Sequence, residues 1–373
     1  MNVLIKPASG ACNMRCRYCF YNDEMANRET GVVGLMSLGT LETVVRRVLE
    51  RAERECVFMF QGGEPTLAGL DFYCALEGFV ARYNTRSLRV SYAIQTNGFA
   101  VDEEWAALFA RMRFLVGLSL DGGRELHDAN RRTPSGRGTF DAVMRAARLL
   151  GRYGVEFNIL TVVTGATARG ALRLHNFFDA QGFRYQQYIP CLDPLCGADG
   201  DAHAALTSDQ YATFLCRTFD AWYDDLVHGK YVYNRTFENY MAILIGRQPE
   251  NCGMAGICSP QYVIEADGGV YPCDFYVLDE YRLGSILTDS FESLDARREE
   301  LGFISRSREL HPDCRVCPYL ALCRGGCYRE RVSVPGSDVP KNRFCAAYLK
   351  FFPYAGERLR EAVRLIAYGR RGL

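Results

Sequence analysis

The stretch Cys12-Asn-Met-Arg-Cys16-Arg-Tyr-Cys19 follows a short apolar run at residues 3–6 that predicts a strand. Three thiolates on one loop can hold three irons of a 4Fe–4S cluster, which otherwise takes four cysteines. The fourth iron then keeps an open position, as chemistry on a metal-bound substrate requires. A structural zinc loop is the alternative, but it would want a fourth ligand nearby, and no His or further Cys lies close in the sequence.

Strands and helices are predicted to alternate around this loop. Apolar runs predict six strands, at residues 3–6, 56–60, 89–95, 114–120, 156–163 and 184–190. Helical spacing of apolar residues predicts helices at 40–52, 70–83, 103–112, 140–153 and 168–181. Such alternation implies a parallel sheet with right-handed crossovers, and six units fall short of the eight of a closed barrel. We therefore expect an α/β fold, a partial (β/α)6 barrel with its ligands at the carboxyl ends of the strands.

Composition narrows the functional class. The chain has 373 residues and 16 cysteines, and its 44 basic side chains equal its 44 acidic ones. A net charge near zero gives no argument for binding nucleic acid or an anionic membrane, and no apolar run is long enough to span a bilayer. The first ten residues lack the pattern of a secretory signal, so we expect a cytoplasmic protein. Reduced thiols in such numbers point to metal binding or catalysis more than to disulfides.

Eight further cysteines crowd the last third of the chain. They are Cys252, Cys258, Cys273, Cys314, Cys317, Cys323, Cys327 and Cys345. Eight thiols make two sets of four, for two iron–sulfur clusters or two zinc sites, and the spacing alone does not separate these metals. Asp267-Gly268 is a hairpin signal that folds Cys273 back toward Cys258. The remaining five cysteines are scattered and are expected to act as small buried hydrophobic residues.

Four segments are predicted along the chain. The barrel is expected to occupy residues 1–192, and a helical linker region residues 193–248, with helices at 209–226 and 235–245. The cysteine-rich domain is expected at 249–350, and a C-terminal helix lies within 351–373, with helical spacing at 357–367.

The first cysteine loop resembles that of the radical S-adenosylmethionine superfamily. The resemblance implies that the open iron binds the amino and carboxylate groups of S-adenosylmethionine, from which a 5′-deoxyadenosyl radical is released to abstract a hydrogen atom. Gly62-Gly63-Glu64-Pro65 resembles the family motif that holds the methionine amino group. Its glycines allow close backbone approach, and its carboxylate can accept from the ammonium. The resemblance further implies cofactor contacts from Tyr18, Ser119, Arg131 and Leu192.

The C-terminal cysteines resemble the SPASM extension of radical S-adenosylmethionine enzymes that modify peptides. That extension holds two auxiliary 4Fe–4S clusters, which makes three clusters in all. The family pattern interleaves the ligands. It implies that Cys252, Cys258, Cys273 and Cys327 hold one auxiliary cluster. It implies that Cys314, Cys317, Cys323 and Cys345 hold the other.

Longer stretches resemble the anaerobic sulfatase-maturating enzymes over nearly the whole chain. They lie at residues 4–9, 60–70, 95–98, 114–119, 191–195 and 271–279. The resemblance implies oxidation of an active-site Cys or Ser of a sulfatase to formylglycine, before the sulfatase folds. It implies as partners an unfolded sulfatase, or its active-site peptide, and a low-potential electron donor such as ferredoxin or flavodoxin. Asp274, beside Cys273, matches the family's proposed base.

Two other functions are consistent with these motifs. A SPASM enzyme can instead crosslink a peptide through thioether or carbon–carbon bonds. An electron carrier with three clusters is the non-catalytic alternative, but a carrier needs neither the barrel nor the Gly-Gly-Glu-Pro loop.

Overall fold

The computed structural model describes residues 1–195 and 205–369. Cys196 and the ends of two predicted segments, 196–204 and 370–373, lie outside the described residues. The described strands are β1 (Asn2–Ile5), β2 (Glu55–Phe60), β3 (Arg89–Thr96), β4 (Phe114–Ser119), β5 (Phe157–Val163), β6 (Tyr185–Pro190), β7 (Tyr233–Asn234), β8 (Val263–Ile264), β9 (Gly269–Tyr271), β10 (Gly284–Ser285), β11 (Arg331–Val334) and β12 (Ser337–Asn342).

Strands β1 to β6 pair in chain order, and every pair is parallel. Val3 lies opposite Phe58, and Phe58 lies opposite Tyr92, so the register carries across three strands. β7 adds to β6 in parallel. The six predicted strands are thus present, and the prediction of a partial (β/α)6 barrel is confirmed.

The cysteine-rich region extends the same sheet. β8 pairs in parallel with β1, and β9 and β10 follow as antiparallel neighbours. The predicted hairpin turn joins β8 to β9, where Gly268 has φ +87 and the side chain of Asp267 accepts from the Gly269 amide. β11 and β12 form a separate antiparallel pair.

The helices cover the strands or link the two parts of the chain. They are α1 (Phe20–Ala26), α2 (Leu38–Arg51), α3 (Leu70–Tyr83), α4 (Glu103–Arg111), α5 (Arg124–Asn130), α6 (Phe140–Arg152), α7 (Gly165–Arg169), α8 (Ala171–Ala180), α9 (Ser208–Val227), α10 (Arg235–Leu244), α11 (Phe291–Glu300), α12 (Phe303–Ser307), α13 (Pro312–Arg315), α14 (Leu320–Cys323) and α15 (Cys345–Gly369).

Helix α2 shows how sequence pattern becomes packing. The side chain of Ser37 caps it by accepting from the Thr40 amide. Its apolar residues recur at helical spacing and are buried against the sheet: Leu41, Val44, Val45 and Val48. Each such side chain contributes about 1.5–3 kcal/mol of burial free energy, so this stripe, more than helix propensity, fixes the helix on the sheet.

Two helices differ from their predictions. The single helix predicted at 168–181 is two helices that meet at Gly170, because α7 begins earlier, at a cap formed by Thr164. The last helix begins at Cys345 rather than at 357 and contains Pro353. α15 packs against α9, so residues 345–350 are continuous with the predicted C-terminal segment. The predicted domain boundaries stay predictions.

In the described part of the chain, no helix combines the length and apolar character that a membrane span requires.

Candidate active site

The first cysteine loop lies between β1 and α1. Cys12, Cys16 and Cys19 are each half-buried, and burial raises the pKa of Cys12 to about 11 and that of Cys16 to about 12. Charge repulsion from Cys19 raises both values further, and Cys12 does the same to Cys16. The three sulfurs therefore lie close together, on a loop that the Asn97 side chain contacts with 3.7 Å between Nδ2 and Cys12 Sγ.

The Gly-Gly-Glu-Pro loop packs directly on the cysteine loop. Gly62 and Gly63 have φ +92 and +52, and a Cβ on Gly63 would lie 2.1 Å from the carbonyl oxygen of Ala11. The Glu64 amide donates to that oxygen at 2.8 Å. Only glycine permits this approach, so the two predicted motifs form one backbone unit.

Glu64 has partners within the chain itself. Its side chain is buried, with Oε1 accepting from the Thr66 amide at 3.1 Å and from the Thr66 and Thr96 hydroxyls at 2.7 Å each. Oε2 accepts from the Asn97 amide at 2.8 Å. Burial raises the pKa of Glu64, and these donors oppose the shift. The carboxylate thus ties the ends of β2 and β3 together, while its contact with an ammonium stays a prediction.

Arg131 and Tyr18 share a partner that the sequence interpretation missed. Arg131 Nε lies 3.1 Å from Asp121 Oδ2, and the Tyr18 hydroxyl donates to the same carboxylate. All three groups are largely buried, and the guanidinium carbon lies 5.3 Å from the Tyr18 ring centroid. The signal for Asp121 was the Ser-Leu-Asp-Gly turn after the fourth strand. Contact of Arg131 with a cofactor carboxylate stays a prediction.

The other two predicted cofactor contacts lie where the barrel prediction expects them. Ser119 is the last residue of β4, and Leu192 follows the end of β6 by two residues. Both therefore lie at the carboxyl ends of parallel strands, the usual ligand edge of such sheets. Their contact with a cofactor stays a prediction.

Asp274 lies in a buried polar group at the edge of the barrel. Its Oδ2 accepts from the Tyr21 hydroxyl at 2.7 Å and from Gln61 Nε2 at 2.7 Å. Its Oδ1 is buried and has no hydrogen-bond partner in the structure. Neither Tyr21 nor Gln61 was predicted, although Gln61 stands directly before the Gly-Gly pair.

Charged side chains surround this group. Lys6 Nζ lies 3.5 Å from Glu24 Oε2 and 3.5 Å from Glu265 Oε1, and 4.6 Å from the centroid of the Tyr21 ring. Burial raises the pKa of Asp274, and the Lys6 ammonium opposes that shift. Burial also raises the pKa of Glu24 to about 8, again against the pull of Lys6. A single buried cation thus balances several buried carboxylates.

Four C-terminal cysteines influence one another electrostatically. Cys327 is affected by Cys252 and Cys258, and Cys273 by Cys327 and Cys252; in each case repulsion raises the pKa of the affected thiol beyond the rise that burial causes. This grouping agrees with the interleaved set of Cys252, Cys258, Cys273 and Cys327 that the resemblance implies.

The other four cysteines line one cavity of about 250 Å³. Burial raises the pKa of Cys323 to about 11, with repulsion from Cys345, Cys314 and Cys317 adding to the rise. Tyr319, Tyr348 and Phe352 also line the cavity. Among the described residues, no three His, Cys, Asp or Glu side chains are close enough together to hold a single metal ion. The cysteines therefore fall into the two predicted sets, while their role as ligands stays a prediction.

Comparison with known proteins agrees with this geometry. The family model of the Radical SAM superfamily matches residues 7–178, and that of an iron–sulfur cluster-binding domain, SPASM, matches residues 256–318. A cysteine-type anaerobic sulfatase-maturating enzyme of Clostridium novyi is 44% identical over 99% of this chain and 98% of its own. The chain belongs to the anaerobic sulfatase-maturating enzymes.

Two further comparisons extend the family assignment. A serine-type anaerobic sulfatase-maturating enzyme of Bacteroides thetaiotaomicron is 30% identical over 94% of this chain and 88% of its own. The solved structure described as native anSMEcpe with bound AdoMet and Cp18Cys peptide superposes with a TM-score of 0.92 at 43% identity, over 98% of this chain and 99% of that one.

These findings confirm the predicted fold class, family and reaction. The chain is a radical S-adenosylmethionine enzyme with a SPASM extension, and its family oxidises a sulfatase residue to formylglycine. The predicted cofactors, iron–sulfur clusters and S-adenosylmethionine, are confirmed at the level of the family. The alternatives of a peptide-crosslinking enzyme and of a simple electron carrier are not supported.

Proposed function

We propose that this enzyme matures cysteine-type sulfatases, with Asp274 accepting the proton of the target thiol. The observation that carries the proposal is the 2.7 Å hydrogen bond from Tyr21 to Asp274. It joins a residue two positions after Cys19 to the residue directly after Cys273. A proton acceptor, the first cysteine loop and an auxiliary cysteine set therefore meet at one point.

Sequence identity supports the choice of cysteine over serine. The chain is 44% identical to the cysteine-type enzyme and 30% identical to the serine-type enzyme, over nearly its whole length in both cases. A thiol also suits an aspartate base better than a hydroxyl does, because a free thiol has a pKa near 8.5 and a serine hydroxyl a far higher one.

The cysteine sets fit the groups that the family carries. Three thiols on one loop suit a cluster with an open iron, and two sets of four suit clusters without one. When bound, the cluster at Cys12, Cys16 and Cys19 and S-adenosylmethionine supply the radical chemistry that removes a hydrogen from the target carbon. In our proposal, Gly62 and Gly63 hold the methionine amino end through backbone atoms.

The geometry of Asp274 suits a base with one reactive oxygen. Tyr21 and Gln61 both donate to Oδ2, which fixes the carboxylate, and Oδ1 keeps its lone pairs for the target proton. A buried acceptor without a partner is costly unless something occupies it in the working state. The thiol of the substrate is the occupant that the reaction supplies.

Electron flow and compartment complete the proposal. Oxidation of the target releases an electron, and the set at Cys252, Cys258, Cys273 and Cys327 stands beside the base that takes the proton. We propose this set as the electron acceptor. We also propose a ferredoxin- or flavodoxin-type donor, and action on an unfolded sulfatase in the cytoplasm, where thiols stay reduced.

Replacing Asp274 with Asn tests the base. The change keeps the size of the side chain and removes the acceptor charge, and loss of a general base typically costs about a hundredfold to ten-thousandfold. We expect 5′-deoxyadenosine to form still, while formylglycine yield falls at least about a hundredfold. Mass spectrometry of paired Cys and Ser peptides, with dithionite as reductant, measures both the yield and the preference.

Asp338→Asn, on exposed strand β12, is the matched control and should behave as wild type. A near wild-type formylglycine rate in Asp274→Asn would show that Asp274 is not the base. Loss of both products together would indicate a role in folding or cofactor binding. Equal turnover of the Cys and Ser peptides would contradict the cysteine-type assignment.

A further inference from the structure

Four arginines lie on or beside the first cysteine loop and are exposed: Arg15, Arg17, Arg132 and Arg137. We call them the arginine patch. Arg15 and Arg17 flank Cys16 in the chain. Backbone hydrogen bonds hold them against the end of α5, from the Arg15 amide to the Arg132 carbonyl at 2.7 Å and from the Arg17 amide to the Asn130 carbonyl at 3.1 Å. The charges therefore stand on the outer side of the loop itself.

A small hairpin fixes the far arm of the patch. Arg132 pairs with Gly138 in an antiparallel bridge. The Thr133 amide donates to the Arg137 carbonyl at 2.9 Å, and the Arg137 amide donates to the Thr133 hydroxyl at 3.1 Å. The backbone under Arg132 and Arg137 is thus defined by its own hydrogen bonds, so the patch is a surface of fixed shape.

The positive charge of the patch is not compensated locally. Residues 13–19 and 130–138 contain no Asp or Glu. Within residues 1–195 and 205–369, no carboxylate forms an ion pair with Arg15, Arg132 or Arg137. The nearest acid in sequence, Asp128, turns its Oδ1 toward the Thr139 and Phe140 amides. In a chain whose net charge is zero, this is a concentrated positive surface.

We propose that the arginine patch docks an acidic protein that carries a low-potential one-electron cofactor, and that the first cysteine loop receives its electron there. The inference rests on the proposed function, which needs one electron at this loop for each S-adenosylmethionine cleaved. The carrier is oxidised by one electron, and the cluster site is reduced by one. Electron transfer weakens steeply with distance, and no other surface lies nearer to Cys16 than the side chains on either side of it.

Charge complementarity identifies the partner. An acidic carrier is steered to a positive surface, which raises the association rate and makes it fall with salt. An apolar partner would need an exposed apolar face, and the patch is made of arginines. We therefore choose flavodoxin, an acidic protein with a flavin at its surface, as the probe.

The test compares two triple variants of the holoenzyme. Arg15→Gln/Arg132→Gln/Arg137→Gln removes three charges of the patch. Arg113→Gln/Arg145→Gln/Arg148→Gln removes three exposed charges from elsewhere on the barrel. The affinity for oxidised flavodoxin is measured at low and high salt. Formylglycine formation is measured with reduced flavodoxin and, separately, with reduced methyl viologen, a small cation that arginines do not attract.

We expect the patch variant to bind flavodoxin at least about tenfold more weakly at low salt, and to lose most of the salt dependence. Turnover with flavodoxin should fall by a similar factor, while turnover with methyl viologen and iron content stay at the wild-type level. The control variant should match wild type in every measurement.

Unchanged flavodoxin affinity in the patch variant would overturn the proposal. Equal losses with both reductants would also overturn it, because the arginines would then serve the loop itself. A raised KM for the sulfatase peptide with either reductant would assign the patch to the substrate instead. Absence of formylglycine from the wild-type enzyme with methyl viologen would contradict the proposed function, and the affinity measurement would still decide on the patch.

Discussion

Two buried carboxylates, Glu64 and Asp121, do their work inside the chain rather than at its surface. Each is almost fully buried and is surrounded by donors from other elements. A buried charge is tolerated only when it is paired and hydrogen-bonded. Both residues therefore fix the loops at the carboxyl ends of the strands, and Asp121 holds Arg131 and Tyr18 in place before any ligand binds.

His127 gives this part of the structure a pH dependence. Its ring is fully buried on α5, with Nδ1 accepting from the Asp121 amide and Nε2 3.0 Å from the Thr139 hydroxyl. Burial lowers its pKa to about 4, and Arg131 acts in the same direction, against the pull of Asp121 and Asp128. Below an unfolded pKa near 6.5, the unfolded chain binds a proton that the folded chain refuses until about pH 4.

We therefore expect the free energy of unfolding to fall as pH drops from about 6.5 to 4, by about 3 kcal/mol at most from this residue. His127→Gln keeps an acceptor and a donor but does not titrate. Thermal unfolding under anaerobic conditions at pH 7 and pH 5 should show a smaller acid destabilisation in the variant. Identical shifts in the two proteins would mean that His127 is already charged in the folded state.

At this scale, the sequence predicts side chains whose chemistry is tied to spacing. Cysteines at fixed intervals and glycines beside a cysteine loop are readable because few other residues can replace them. Tyr21 and Gln61 are not, since their common partner Asp274 lies 253 and 213 residues away. Nothing local marks a tyrosine as the partner of so distant a carboxylate.

The cysteine loop between β1 and α1 is the element on which S-adenosylmethionine cleavage depends. We expect Cys12→Ala/Cys16→Ala/Cys19→Ala to abolish that cleavage, because the other two cysteine sets have four thiols each and would leave no open iron. Release of 5′-deoxyadenosine with dithionite measures it. Cys56→Ala/Cys74→Ala/Cys216→Ala removes three cysteines outside all sets and should cleave normally. Wild-type release from the loop variant would refute the assignment.

Elements whose apolar residues follow a clear period were predicted to within a few residues, as α3 shows over Leu70–Tyr83. Their burial on the sheet and their sequence pattern have the same cause. The short helix α1 was missed because it has only seven residues and is held by its neighbours. The parallel pairing of β8 with β1 was also not predictable, since two-residue strands carry no register of their own.

At the scale of the whole molecule, that pairing joins the two halves of the enzyme. Because β8 and β9 continue the barrel sheet, Asp274, directly after Cys273, reaches the ends of β1 and β2. Clasps on the other side of the barrel act in the same way: Arg343 bonds to Glu330 at 2.5 Å, to Asp193 at 2.8 Å and to the carbonyl of Cys191. The base and the first cysteine loop are therefore held in register by the fold.

The three cysteine sets predict the metal content of the whole enzyme. Three clusters of four irons give about twelve irons per chain and little zinc after anaerobic reconstitution. Because no cysteine of one auxiliary set is among those that raise the pKa values of the other, the sets should load independently. Cys314→Ala/Cys317→Ala should therefore retain about eight irons, and so should Cys258→Ala/Cys327→Ala. The matched control, Cys56→Ala/Cys216→Ala, should keep all of them. Metal analysis that found four irons and two zincs in the unmodified enzyme would instead make the C-terminal sets zinc sites. Loss of eight irons from either auxiliary variant would show that the two sets share ligands or fold together, against the grouping that the thiols adopt.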